Sequence, residues 1–383
     1  MTAPSAFARL GGATRREAGF IATSRVMLLA LVVVPFCAIA IVAAMLSQGA
    51  LQALPVAVVD NARTSESQAL VRLLSGRPEV RIAAQPVSDA AAEAAMRRGQ
   101  IWAFVSIPHG FGQPRAADEP IRLYYNAAYL SVGSTVERSL ATALRGSIIA
   151  GIEDNAWRAG VLSDRAAIPQ VQISVLFNPE ASFEWYLQAL IQPAMLHLLA
   201  ACVGVYAMAR ELGGPDGRSL DAWRAETGGG AAALTGKLVP YLTVLSFWGP
   251  VWMVWLVGFK GWRMEGSLLA TFAAQLALIA ASLALSFGFV AGARRDVFGY
   301  SLSALYAGSA LAYSGGSLPI EGAPTVARFW HQVLPFTHYL TAQMDQFLGA
   351  PARQAWGAAL LLTGYAAAGL ALATWLGGRK SPA

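Results

Sequence analysis

The chain has 383 residues, of which 56% are hydrophobic and only 13% charged. That is about half the charged fraction of soluble domains, roughly 25%, and it excludes a wholly water-soluble protein. The net charge of +6 follows from where basic residues flank the apolar segments, not from a nucleic-acid-binding face. A hydrocarbon core about 30 Å thick takes about 20 apolar residues per helix. Six windows qualify: Val26–Leu46, Tyr186–Met208, Leu238–Phe259, Ser267–Ala291, Phe298–Ser314 and Trp356–Leu376.

Residues 1–25 read as an amphipathic cytoplasmic segment, and residues 26–46 as the first transmembrane helix. This helix is expected to be a retained anchor, because its apolar run exceeds that of a signal peptide and "SQGALQA" is a weak cleavage site. With the N-terminus inside, the segments on the cytoplasmic side carry twelve Lys/Arg and the short outer ones four. By the positive-inside rule both termini are then cytoplasmic, including the tail 377–383, and residues 48–182 lie outside. Both cysteines, Cys37 and Cys202, fall within spans, so no disulfide framework supports the outer segment.

Residues 48–182 read as an extracytoplasmic α/β domain inserted between the first two spans. "PVAVVD" (Pro55–Asp60) is a buried strand, and Ser65 with Gln68 suggests a capping box for a helix to Leu74. "EVRIAA" alternates as a strand, and Ser88 caps a helix that stops at Gly99. "IWAFVSIP" and "IRLYYN" are two further strands. A long helix over 131–160 carries the stripe Val132, Val136, Leu140, Leu144, Ile148 and Ile152. "VQISVLF" is a last strand, giving the order βαβαββαβ and a mixed sheet covered by helices. The domain offers one histidine, His109, and no Gly-rich phosphate loop. Asp60 and Asn61 end the first strand, where they read as a strand-end turn more readily than as a catalytic pair. Binding or docking suits it better than catalysis.

Residues 186–376 are expected to form a five-helix transmembrane domain. Its windows hold almost no ionisable groups, so a proton- or ion-coupled carrier lacks the residues that a relay needs. His197 is the titratable exception, read as hydrogen-bonded to a neighbouring helix. The cytoplasmic loop 209–237 contains "GGGAAALTGKL", a near miss of a Walker A loop. Ala231 and Leu238 occupy positions that need Gly and Ser/Thr, so the chain is expected to bind no ATP. Within the loop, 219–226 reads as a short helix. Its Trp223 suits either a protein-docking anchor or a bilayer-interface residue. The segment 315–355 is too apolar for a free loop and reads as re-entrant or interfacial helices at the outer mouth. Trp330, His331, Pro335 and His338 are its candidate gating residues, and two histidines without a third ligand are a weak metal signal.

Four stretches together resemble the membrane permease of an ABC exporter of the ABC-2 class, in particular bacterial multidrug-type members with a large domain after the first span. They are "RREAGFIATSRVMLLALVVVP", "LPVAVVDNARTSESQALVRLL" with "MRRGQIWAFVSIPHGF", "LDAWRAETGGGAAALTGKLVPY", and "GGSLPIEGAPTVARFWHQVLPFTHYLTAQMDQFLGA". The loop departs from the family pattern, with "GGPDGRSLD" and "TGGG" where a Glu-rich "EGT" stretch and a Pro are usual. The resemblance implies a polytopic α-helical protein of six transmembrane helices in a bacterial inner membrane. It implies no cofactor in this chain, with ATP and Mg bound by a partner ABC ATP-binding subunit. It further implies a homodimer or heterodimer with a second permease, a periplasmic adaptor as a further partner, and efflux of a hydrophobic or amphipathic substrate. Glu17, from the resemblance, and Ser219, Asp221, Trp223 and Arg224, from the loop residues themselves, are the candidates for coupling to the ATPase. The competing expectation is a non-transporting scaffold of a cell-envelope or secretion assembly.

Overall fold

A computed structural model describes residues 5–47, 52–109, 111, 120–126, 132, 134–146, 182–212, 220–293, 295–317, 320 and 322–378. The chain divides into two units, Gln48–Phe183 and the remainder. The strand expected at 171–177, the long helix beyond residue 146, and Ser219 lie outside the described residues.

Among the described residues, the smaller unit is a four-stranded mixed sheet in the order β2-β1-β3-β4. Strands β1 (Leu54–Asp60), β2 (Val80–Ala84) and β3 (Ala103–Ile107) are parallel, and β4 (Arg122–Tyr125) pairs antiparallel with β3. Two helices make the crossovers, α3 (Ser65–Ser75) and α4 (Asp89–Arg97). Strand periodicity sends alternate residues of β1 to opposite faces. Val56 and Val58 share a core with Leu70 and Leu74 of α3 and with Val136 and Leu140 of the helical residues 134–146 (α5). Ala57 and Val59 share the opposite core with Ala92 and Ala95 of α4. β1 is thus covered on both faces, which is why its sequence is continuously apolar. Ser88 caps α4 as expected. The cap of α3 is Thr64, not Ser65, in a reciprocal box with Ser67, because Asp60 also accepts from the Ser67 hydroxyl at 2.7 Å and pulls the turn one residue earlier.

In the larger unit an amphipathic helix α1 (Ala6–Thr23) precedes, among the described residues, five helices long and apolar enough to cross a membrane. These are α2 (Arg25–Met45), α6 (Phe183–Ala209), α8 (Gly230–Phe259), α9 (Leu268–Ala293) and α13 (Ala352–Gly378). A short helix α7 (Leu220–Thr227) lies between α6 and α8. α9 and α13 are the most extensively packed pair. Small residues permit this: a side chain at Gly369 would meet the main chain of Ala284 and Leu285. Gly369→Val is therefore expected to force the two helices apart, at about 1–3 kcal/mol, measured as a lower melting temperature of the detergent-solubilised chain.

The expected fifth span, Phe298–Ser314, is not one long helix. It comprises α10, an α-helix Asp296–Ser303 extended by a π-turn Ala304–Gly308, together about 20 Å at 1.5 Å per residue. Turns follow from Ser309 onward, where Gly308, Ser309, Gly315 and Gly316 give the helix little support. The segment nonetheless follows α6 along its whole length in the opposite direction. A side chain at Gly299 would press on Val205, Tyr306 lies edge-on to His197 at 5.3 Å, and the Tyr186 hydroxyl donates to the Gly316 carbonyl at 2.6 Å. Two further helices, α11 (Thr325–Val333) and α12 (Pro335–Phe347), precede α13.

Candidate functional site

The densest polar chemistry lies where α1, the end of α6, α7 and the start of α8 converge. Helix α1 buries Ala13, Glu17 and Ile21, one residue per turn on one face. A carboxylate in the middle of a buried stripe needs several partners, since an isolated charge costs far more to bury than a polar group. Glu17 has four. Its Oε1 lies 2.8 Å from Lys237 Nζ, from Arg16 Nη1 and from Arg210 Nη2, and its Oε2 accepts from the Tyr241 hydroxyl at 2.8 Å. Glu211, in a 3-10 turn (Arg210–Leu212) after α6, takes the other side of Lys237 at 2.8 Å. It also receives Arg16 through two parallel bonds at 3.0 and 3.1 Å, the geometry that makes Arg–carboxylate pairs strong and directional.

Glu17, Glu211 and Lys237 have no exposed surface. Glu226 of α7 approaches Arg16 Nε at 3.5 Å from the exposed rim, so among the described residues three carboxylates face three cations. The Arg210 guanidinium also rests 3.5 Å above the Phe20 ring, a favourable cation–π position. Burial pushes the Glu211 carboxyl up, but the charges and hydrogen bonds of Lys237 and Arg16 outweigh it and hold it down at about 2. Burial likewise works against the Arg16 guanidinium, yet Glu211 raises it. A depressed carboxyl stabilises above its ordinary value, 4.5 for Glu211, and that contribution is lost only as pH falls toward 2. Glu211 therefore stays ionised throughout the neutral range.

Backbone contacts tie α1 to α8 alongside the charges. The Thr14 hydroxyl lies 3.1 Å from the Gly236 carbonyl, and Arg9 reaches the Gly228 carbonyl at 3.4 Å. Gly236 has to be glycine, because a methyl there would collide with the Leu10 carbonyl oxygen. Lys237, whose Gly-Lys sequence mimics a phosphate loop, is thus a buried ion-pair centre on a long helix.

The coupling residues expected from sequence fare differently. Glu17 is the hub of the cluster. Trp223 is 2% exposed and belongs to the same buried cluster as Ala13, Leu220 and Leu234, so it is neither a surface anchor nor a bilayer-interface residue. The reason is helical phase: Leu220, Trp223 and Thr227 share the inward face of α7 and all three are buried. The exposed positions of α7 are Ala222, Ala225 and Glu226. Arg224 is half-buried and packs against Gly229. Asp221 is within α7, with its side chain outside the described residues, as is the whole of Ser219. Reading the sequence alone missed Arg16, Arg210, Glu211, Lys237 and Tyr241.

The residues expected at the outer mouth are held by main-chain contacts. His331 donates from Nδ1 to the Tyr313 carbonyl at 2.8 Å, and His338 from Nε2 to the Gln332 carbonyl at 2.9 Å. Each ring braces a separate turn, and no group of three metal-ligating side chains occurs among the described residues. Pro335 is buried at the first turn of α12, and Trp330 packs on a core that includes Leu334 and Tyr339. Within the span, His197 Nδ1 lies 2.7 Å from Ser282 Oγ of α9. Since Ser282 itself donates to the Leu278 carbonyl at 2.7 Å, the histidine is the donor.

Nothing in these arrangements forms a nucleophile, a base or a nucleotide cradle. The Glu17–Lys237–Glu211 cluster ties together helices at one end of a membrane bundle. No curated protein and no solved structure matches the chain. Residues 25–375, nearly its whole length, match the family model described as ABC-2 family transporter protein. The chain therefore belongs to the ABC-2 family, as a multi-pass, non-catalytic permease of an ABC transporter, in a family whose membrane proteins work with an ATP-binding subunit.

Proposed function

We propose that this permease forms the pathway for efflux of a hydrophobic or amphipathic substrate across a bacterial inner membrane, driven by a separate ATP-binding subunit. The observation that carries the reading is the buried Glu17–Lys237–Glu211 cluster. It binds α1 and the turn after α6 to the start of the long helix α8, so a push on the exposed side of α1 or α7 is transmitted to two spans as one body. The ATPase docks on the outer faces of these helices, around Arg15, Ala222, Ala225 and Glu226, which are exposed or on the rim. The Trp223 indole is the internal brace of α7.

The same reading places the cluster end in the cytoplasm, both termini inside and the α/β unit outside. It counts six crossings, with residues 296–316 as the fifth. Irregular backbone at membrane depth is tolerated where protein or a water-filled cavity covers it. A second permease beside the partly exposed turns after Gly308 supplies that cover. The charge bias of twelve to four supports the orientation, and an impermeant thiol reagent tests it in intact cells. A cysteine at Ser88 is expected to label and one at Ser219 to stay protected; the reverse pattern inverts the topology.

Mild-detergent purification of the tagged chain tests the function. An ATP-binding-cassette subunit and a second permease are expected to co-purify, with ATP hydrolysis absent from the chain alone. Recovery of neither would favour the scaffold. Transport that stops with an uncoupler but persists on ATP depletion would contradict ATP-driven efflux.

A further inference from the structure

The C-terminal ends of the parallel strands in the α/β unit open into a groove to which the transport reading gives no task. The chain passes from β1 through α3 to β2 on one side, then through α4 to β3 on the other, so successive connections diverge between β1 and β3. The crevice outside the strand ends at such a divergence is where open α/β sheets hold ligands. Beside it, between the turns that follow β1 and β2 and against α3, lies a cavity of about 760 Å³, within the roughly 300–1,000 Å³ typical of small-molecule sites.

Its lining combines two chemistries. Val71, Pro86 and Val87 supply an apolar surface, Val87 being 84% exposed. Arg63 and Arg72 line the same groove. Neither guanidinium is ion-paired among the described residues. Asp60 also lies in the lining, but its oxygens are committed to the turn. Its Oδ1 accepts from the backbone N–H of Ala62 at 3.0 Å and of Arg63 at 2.9 Å, and its Oδ2 from the Ser67 hydroxyl at 2.7 Å. That turn holds Arg63 at a φ of 54°. His109 donates from Nδ1 to the Asn61 carbonyl at 2.8 Å and closes the β3 side. The groove thus offers cations beside exposed apolar surface, with its one carboxylate already satisfied.

We propose that this groove binds a water-soluble amphipathic anion, a carboxylate or sulfonate on an apolar body. Arg63 and Arg72 hold the charged group through charge-assisted hydrogen bonds, and Val71, Pro86 and Val87 cover the apolar part. The assignment stands apart from the transport reading, because binding alone tests it.

The test uses the full chain in phosphatidylcholine nanodiscs, titrated calorimetrically with 2-naphthoate. One saturable site per chain is expected. Arg72→Gln is expected to weaken it about tenfold, the loss of roughly one charge-assisted bond. The double variant Arg63→Asn, Arg72→Gln is expected to remove measurable binding without lowering the melting temperature, since both side chains are exposed and Asn tolerates positive φ. Neutral 2-naphthol and inorganic phosphate are each expected to bind at least about tenfold more weakly. No saturable binding, or equal binding by the double variant, would overturn the proposal. Phosphate competing as strongly as naphthoate would overturn its apolar half. Replacing a third of the lipid with phosphatidylglycerol is expected to leave the affinity unchanged. Competition by that lipid, absent in the double variant, would assign the groove to a bilayer headgroup instead and overturn the claim of a soluble ligand.

Discussion

Glu17→Ala is expected to lower the stability of the solubilised chain by about 3–5 kcal/mol, the usual cost of breaking a buried ion pair, and to abolish transport. The substitution leaves fully buried Lys237 with one of its two carboxylates and strips a partner from Arg16, Arg210 and Tyr241. The excess positive charge then sits where no exposed surface exists on the lysine. A double variant, Glu17→Gln with Lys237→Met, separates folding from coupling. It removes one charge of each sign, so the cluster stays balanced and stability is expected to recover beyond that of Glu17→Ala. The helices are then no longer tied by charge, and substrate-stimulated ATP hydrolysis by the assembled transporter is expected to stay low. Thermal melting and ATPase assays on the same preparations check both parts. Wild-type melting and transport in Glu17→Ala would remove the cluster from the mechanism.

Trp223→Ala has the second large effect, and its location in the fold sets the sign. A buried tryptophan truncated to alanine costs about 3–5 kcal/mol through lost packing and the cavity left behind. The chain is therefore expected to melt earlier, with α7 loosened from the body that holds Ala13 and Leu234. Trp223→Phe should retain most of the stability, because the indole Nε1 makes no hydrogen bond and the ring face is what the site uses. ATPase binding should fall in proportion to stability across the pair. Full stability in Trp223→Ala combined with lost ATPase binding would mean that the indole contacts the partner directly, contrary to its burial.

The elements of both units were legible in their periodicity, and the limits of that reading are physical. β1 follows from a short apolar run, β2 from alternation, β3 and β4 from aromatic and β-branched residues, α3 and α4 from capping residues, and the long apolar helices from length. Within residues 298–314 the end of the helix at Gly308 was not legible, because mean apolarity does not register that Gly and Ser fail to sustain a helix. Glu17 and Lys237 stand 220 positions apart, and composition cannot pair them. One local sign did exist: Ala13, Glu17 and Ile21 are spaced one turn apart, placing a carboxylate inside an apolar stripe. Likewise Leu220, Trp223 and Thr227 mark an inward face, and reading that phase would have turned Trp223 from an anchor into a brace. The groove at Asp60 lay at the strand end that sequence marks, but its cationic lining draws on Arg63, Arg72 and the 85–87 turn, which only the fold brings together.

The central claim is that the α1–α7–α8 end receives the ATPase and passes its motion to the spans. Site-specific photocrosslinking tests it most directly, with p-benzoylphenylalanine placed at Ala225 on the exposed face of α7 and, separately, at Val87 in the α/β unit. Irradiation of intact membranes is expected to capture an ATP-binding-cassette subunit from Ala225 and none from Val87. Capture from Val87, or its absence from Ala225 in membranes that carry out ATP-driven export, would contradict the account.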